Sequence, residues 1–213
     1  MAREYIYRKI RDAITYGELR PGERLVEKKV CEIYGIGRSP LREALSQLHS
    51  EGYVDFFPNR GVTIRSISAE DAKKIYQLLA VLEGYAVESC TPGLETADIE
   101  KLASIQDNMK KAWATKHYRR WLDGNMLFHE YFAKACKNEF LSSLITNLRN
   151  RIFRYRLFAI GIPGSVEKYF HSHDEILEAL SRRNAKLAGK IMHRHLDLVA
   201  KELIQFLMNA PHI

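Results

Sequence analysis

The chain has 213 residues, 46% of them hydrophobic, and a formal charge of +7 at pH 7. That is enough apolar content for one large packed domain or two small ones. No apolar run approaches the ~18 residues of a membrane span, and the opening MAREYIYRKIRD lacks the apolar stretch of a secretory signal, so a cytoplasmic location is expected.

Tyr5, Ile6, Ile10, Ala13 and Ile14 recur at helical spacing before Gly17, which predicts a first amphipathic helix closed by the turn Leu19-Arg-Pro-Gly22. A short helix from about Leu25 to Ile33 follows, then the turn Gly35-Ile-Gly37. A third helix runs to about Ser50 with Leu41, Ala44, Leu45 and Leu48 inward. Helix, glycine-bearing turn and helix is helix-turn-helix grammar. The β-rich segments Tyr53–Phe57 and Val62–Arg65, separated by Pro58-Asn-Arg-Gly61, predict a hairpin that serves as a wing. Ser66 to Asp71 then reads as a linker whose Ser68 caps the next helix, in a capping-box-like pairing with Asp71.

From there only helical stripes appear, over about 69–90, 96–115, 117–136, 139–160, 165–182 and 184–209. Clear breaks fall at Thr91-Pro-Gly93 and Gly161-Ile-Pro-Gly164, with softer ones near 116, 138 and 183. The expected fold is mainly α: an N-terminal winged helix-turn-helix over residues 1–67 and an all-α bundle of about six helices over residues 68–213. Charge does not distinguish the two, since the first 67 residues carry 12 Lys and Arg against 9 Asp and Glu and the rest carries 21 against 17. Cys31, Cys90 and Cys136 lack CxxC spacing and are expected to be small buried hydrophobes.

The run Arg38-Ser-Pro-Leu-Arg-Glu-Ala-Leu45 places Arg38, Ser39 and Arg42 at the start of the third helix. There, unsatisfied backbone N–H groups and positive partial charge let them approach phosphates and base edges together. A plain solvated face, with the arginines paired to Glu43 or Glu32, is the alternative. Together with Gly17-Glu-Leu-Arg-Pro-Gly22, Leu25, Gly35-Ile-Gly37, Leu48, Glu51-Gly52 and Arg60-Gly61, the run resembles the GntR family of bacterial transcription regulators over nearly all of the first 65 residues. The resemblance implies that Arg38 and Arg42 are recognition-helix contacts. It makes Lys28, or Lys29 beside it, a contact from the preceding helix, and Arg60-Gly61 the wing tip. The chain departs at Gly37, where the family usually has serine or threonine, so the helix start lacks a side-chain cap.

Seven of the eight histidines lie in the second part. His129 shares a helical stripe with Leu122, Asn125/Met126, Phe132/Ala133 and Cys136. His173 does so with Val166, Phe170, Ile176/Leu177 and Leu180, and His195 with Ala188, Ile191/Met192 and Leu198/Val199. Three helices thus each aim one imidazole inward, while His171 and His193, roughly 200° around their helices, point elsewhere. Asn125, one turn before His129, can add its carbonyl oxygen around a single ion. Neutral imidazoles suit zinc, nickel, cobalt, iron or manganese; three separately hydrogen-bonded core histidines are the alternative.

The segments LFHEYFAKACKNEFL and HDEILEALSRRNAKLAGKIMHRHL resemble the FCD ligand-binding domain of the FadR-type GntR branch, over roughly residues 69–207. That resemblance implies a divalent transition-metal site at Asn125, His129, His173 and His195, in a domain that also dimerises and binds a small-molecule effector. Two departures stand out: Asn125 replaces the usual aspartate, and Leu79 stands where many members carry an arginine for an effector carboxylate. An ion held by neutral donors keeps its full charge for a carboxylate, which is one way to compensate. In the basic run Arg149, Arg151, Arg154 and Arg156, Arg149 is the candidate to face the cavity, the alternative being that all four are solvated or lie at an interface.

The expected function is therefore a non-enzymatic, metabolite-responsive repressor. It acts as a homodimer on a palindromic DNA operator, with no membrane partner and a small-molecule effector, a carboxylate among the candidates. A metal-free ligand sensor of the same family is the first alternative. A metal-dependent hydrolase is the second, needing a general base for which Glu83 and Glu130 are candidates only by proximity in sequence.

Overall fold

The computed structural model describes residues 2–58, 61–152, 155 and 161–209. Helix α1 (Ala2–Thr15) buries Ile6, Ile10, Ala13 and Ile14 and gives way to Gly17, whose positive φ turns the chain. Helix α2 (Glu27–Tyr34) ends at Gly35 in the left-handed conformation, where the Gly35 N–H donates to the Cys31 carbonyl. Helix α3 (Arg38–Ser50) then buries Leu41, Ala44, Leu45 and Leu48. The wing is strands β2 (Val54–Phe57) and β3 (Gly61–Ile64), antiparallel with Val54 opposite Ile64.

One sequence expectation is corrected here. Leu25 does not begin α2; Arg24–Leu25 is a short strand, β1, paired antiparallel with Thr63 and Val62, giving a sheet of order β1-β3-β2. Pairing with β3 buries Leu25 in the core and satisfies its backbone. Helix α2 begins two residues later at Glu27, whose charge suits the positive helix N-terminus.

The second part holds six helices among the described residues: α4 (Ala69–Cys90), α5 (Thr96–Ala114), α6 (Tyr118–Ala135), α7 (Glu139–Ile152), α8 (Ser165–Ser181) and α9 (Ala185–Asn209). Ser68 caps α4, its hydroxyl accepting from the Asp71 N–H at 3.0 Å. At the softer breaks Lys116, Lys137 and Arg183 take positive φ without being glycine. Buried apolar residues form two clusters, one from Ile6 to Ile64 and one from Ala72 to Leu207. Cys90 is buried, and burial pushes its thiol up to about 12; Cys31 and Cys136 are half-buried rather than buried.

Specific contacts join the two parts. The Tyr16 hydroxyl donates to Asp123 Oδ1 at 2.6 Å, and the Arg119 guanidinium sits 3.8 Å from the Tyr16 ring centroid, so the residue just after α1 grips the first turns of α6. In the linker the Ile67 N–H donates to the Tyr155 oxygen at 2.6 Å. Arg151 of α7 lies over Gly52, where a β-carbon would come within 3.0 Å of Arg151 Cγ.

Within the bundle α4 packs along α9 at unusually short range. A β-carbon on Gly189 would fall 2.7 Å from the Gly84 carbonyl oxygen and 3.0 Å from Glu88 Cβ. Gly189→Ala therefore forces α4 and α9 apart and is expected to cost about 1–3 kcal/mol. Gly93→Ala, with open space around it, should cost far less. Thermal unfolding of both variants checks this, and equal midpoints would contradict it.

Candidate nucleic-acid interface and metal centre

The N-terminus of α3 is bare. Gly37 caps it without a side-chain hydrogen bond, and Arg38, Ser39 and Arg42 all lie exposed beyond it. Arg42 pairs with Glu27 of α2 at 3.1 Å rather than with Glu43 or Glu32, while Ser39 Oγ lies 3.3 Å from Glu43 Oε1. Lys28 is exposed, its ammonium 4.0 Å from Glu32. Such exposed pairs hold the side chains weakly and leave them available to an anion. Gly61, at the start of β3, has a positive φ and lies beside the Arg24 guanidinium, a cation that sequence reasoning did not single out. Arg60 lies outside the described residues.

The histidines converge. His129 of α6, His173 of α8 and His195 of α9 are each at most 2% exposed. Their ring centroids lie 5.2 Å (129–173), 5.3 Å (129–195) and 4.7 Å (173–195) apart. One ring nitrogen from each falls within 4.8 Å of the others. An ion with bonds of about 2.0–2.1 Å spans about 4 Å between opposite ligands, so modest side-chain closure brings all three into coordination. Asn125 is buried on α6 one turn before His129. His171 and His193 are exposed, as their positions on the helices predict.

Neighbours fix which nitrogen two of the rings, His173 and His129, offer. The Gln106 amide nitrogen donates to the Phe170 carbonyl at 3.0 Å and to Asp174 Oδ1 at 3.1 Å, so its oxygen is left to accept from His173 Nδ1 at 3.1 Å. The His173 Nε2 lone pair then faces the other imidazoles. Phe128 stacks on a face of that ring, with centroids 4.2 Å apart. His129 Nδ1 donates to Glu83 Oε2 at 2.8 Å, which likewise leaves Nε2 as its acceptor. This is the arrangement in which outer partners orient imidazoles for a metal, and the all-neutral nitrogen donor set fits a borderline divalent ion such as zinc.

Glu83 does more than orient one ring. Its Oε2 also accepts from the Arg149 guanidinium, and both side chains are buried. Arg149 is thus buried and turned inward rather than solvated. Arg151 is exposed, and Arg154 and Arg156 lie outside the described residues. Neither candidate base suits a hydrolase: Glu83 is committed to His129 and Arg149, and Glu130 pairs with Lys134 at 3.1 Å towards the surface.

Gln106 is a site residue that sequence reasoning missed, and Glu83, considered there only as a base for a hydrolase, was not seen as the partner of His129 and Arg149. Each interrupts an apolar helical stripe, Tyr76-Leu79-Glu83-Val87 on α4 and Leu102-Gln106-Met109 on α5, which is the same signal that singled out the histidines.

Residues 74–198 match the FCD domain, and residues 2–64 match the bacterial regulatory proteins of the gntR family. The chain belongs to the GntR family and carries an FCD domain. It is 26% identical to the HTH-type transcriptional regulator YdhC of Bacillus subtilis, over 90% of this chain and 86% of that protein. It is 27% identical to the HTH-type transcriptional repressor GlaR of Escherichia coli, over 89% of this chain and 90% of that one. The solved structure of E. coli McbR/YncC has the same fold, with a TM-score of 0.83 at 20% identity over 96% of this chain and 98% of that one. Family and relatives are transcription regulators, not enzymes.

Gln106 is buried and joins α5 to α8 through three hydrogen bonds. Gln106→Leu should lower stability by about 1–3 kcal/mol because it takes from the buried His173 Nδ1–H its Gln106 acceptor. Chemical denaturation reads the loss, and an unchanged midpoint would contradict the network.

Proposed function

We propose that this GntR-family regulator is a homodimeric, cytoplasmic repressor that releases its operator when a small molecule binds beside a metal ion in the helical bundle. Residues 1–67 form its DNA-binding unit and residues 68–213 its effector-binding and dimerisation unit. Lys28, Arg38, Ser39 and Arg42 meet the major groove and its phosphates, and the wing tip at Arg60-Gly61 reaches the neighbouring groove. The bare, cation-flanked start of α3 supports this reading. The repressor sign is supported by relatives named as repressors, RspR and GlaR of E. coli.

The observation that carries the effector half is the convergence of His129, His173 and His195, each on a different helix. With Asn125 they form the ligand set for a divalent ion, zinc or nickel among the candidates. Bound there, the ion would offer positive charge and open coordination positions to an effector carboxylate. Arg149, facing inward from α7, is the protein's own cation for that carboxylate. Leu78, Val81 and Tyr85 lie exposed along one side of α4, an apolar stripe suited to a second copy of the chain.

Elemental mass spectrometry on protein purified without a histidine tag should find about one transition metal per chain, lost in His129→Ala. No metal in the wild type even after reloading would remove the ion from the reading and leave a metal-free ligand pocket. Arg38→Ala should weaken binding to an operator selected from random DNA by at least about tenfold without changing the circular dichroism spectrum. Unaltered affinity would exclude Arg38 from the DNA contact.

A further inference from the structure

Resting on the proposal that Arg149 lines the effector pocket, the Glu83–Arg149 pair points to how that pocket is occupied and read. Both side chains are buried, on α4 and α7 respectively. Glu83 receives both of its donors, His129 Nδ1 and the Arg149 guanidinium, on one oxygen, Oε2. Its other oxygen, Oε1, is buried with no hydrogen-bond donor among the described residues. A carboxylate loaded on one side and bare on the other is a poorly satisfied partner for a buried guanidinium.

Replacing it leaves Arg149 paired, at the cost of parting the Glu83 carboxylate from its cation. If another carboxylate took Arg149, Glu83 would keep the His129 N–H and Arg149 would keep an anionic partner. The buried arginine would stay neutralised before and after the exchange, which removes its half of the penalty for breaking a buried ion pair and leaves the effector's further contacts to meet the cost at Glu83.

The same helix reaches the DNA-reading part. Two residues beyond Arg149, Arg151 lies against Gly52, just past the end of α3, and Tyr155, beyond the end of α7 at Ile152, accepts from the Ile67 N–H in the linker. Whatever holds Arg149 therefore bears on how α7 seats against the end of the recognition helix and the linker.

We propose that Glu83 is an internal stand-in for the effector's carboxylate: it holds Arg149 while the pocket is empty, and an incoming carboxylate displaces it there. That exchange unlinks α4 from α7 and resets the contacts of Arg151 and Tyr155. It also makes Glu83 a specificity-determining residue. A ligand with one carboxylate and nothing else must compete with a carboxylate already in place, so it binds weakly, and the natural effector needs further contacts to win.

Glu83→Gln tests this directly, because it keeps the shape and an acceptor for His129 but removes the competing charge. Calorimetric titration with acetate, on metal-loaded and metal-free protein, should show about tenfold tighter binding in Glu83→Gln than in the wild type. The gain should vanish in Glu83→Gln combined with Arg149→Met. Equal acetate affinity in wild type and Glu83→Gln, no acetate binding in Glu83→Gln, or a gain that survives Arg149→Met would each overturn the proposal. The wild type supplies an arm that does not depend on a variant folding. Excess acetate should shift the Arg149 side-chain NMR signals and speed hydrogen exchange at the Ile67 amide, and no change in either would overturn it. Metal content and operator binding of the same wild-type preparation report separately on the function proposed above, so its failure is distinguishable from failure of the exchange.

Discussion

An apolar helical bundle can close around ionisable side chains only if each finds a partner inside it, and here Glu83 supplies the junction. Its carboxylate gathers His129 from α6 and Arg149 from α7 onto α4, so three helices are registered by one buried anion. Gln106 does the same for α5 and α8 through His173 and the Phe170 carbonyl. Helix α9 is registered differently. Gly84, next to Glu83, lets Gly189 approach within backbone contact, and His195 follows less than two turns later on α9. The three imidazoles meet because polar and steric constraints on separate helices converge beside one residue of α4.

Much of this was legible in the sequence, and the exceptions share a physical cause. Apolar period placed α1, α3 and the six later helices, because a helix that buries one face must repeat that face every three to four residues. The breaks at Lys116, Lys137 and Arg183 carry no glycine, yet the change of stripe located them to within a residue or two. Strand β1 was not legible: two residues have no period, and Arg24 and Leu25 are extended only because β3 lies alongside. Leu25 therefore read as the start of α2.

The site divides in the same way. His129, His173 and His195 were legible as polar residues on apolar stripes, and their convergence needed only that the helices pack together. Glu83 and Gln106 sit on comparable stripes, but their partners lie far along the chain: His129 is 46 residues from Glu83, Arg149 is 66, and His173 is 67 from Gln106. No local pattern encodes such pairs. For Arg149, sequence suggested a direction, and the Glu83 carboxylate that meets it emerged only in three dimensions.

The contacts between the two parts also involve helices that carry the site. Helix α6 brings His129 to the interior and Asp123 to Tyr16, just after α1, while α7 brings Arg149 to the interior and Arg151 to Gly52. The ion-binding competence of the histidine cluster is the central claim, and X-ray absorption spectroscopy of the metal-loaded protein tests it most directly. The predicted spectrum shows three imidazole nitrogens at about 2.0–2.1 Å, completed by oxygen donors. Fewer than three imidazoles, or a shell of oxygen alone, would contradict it.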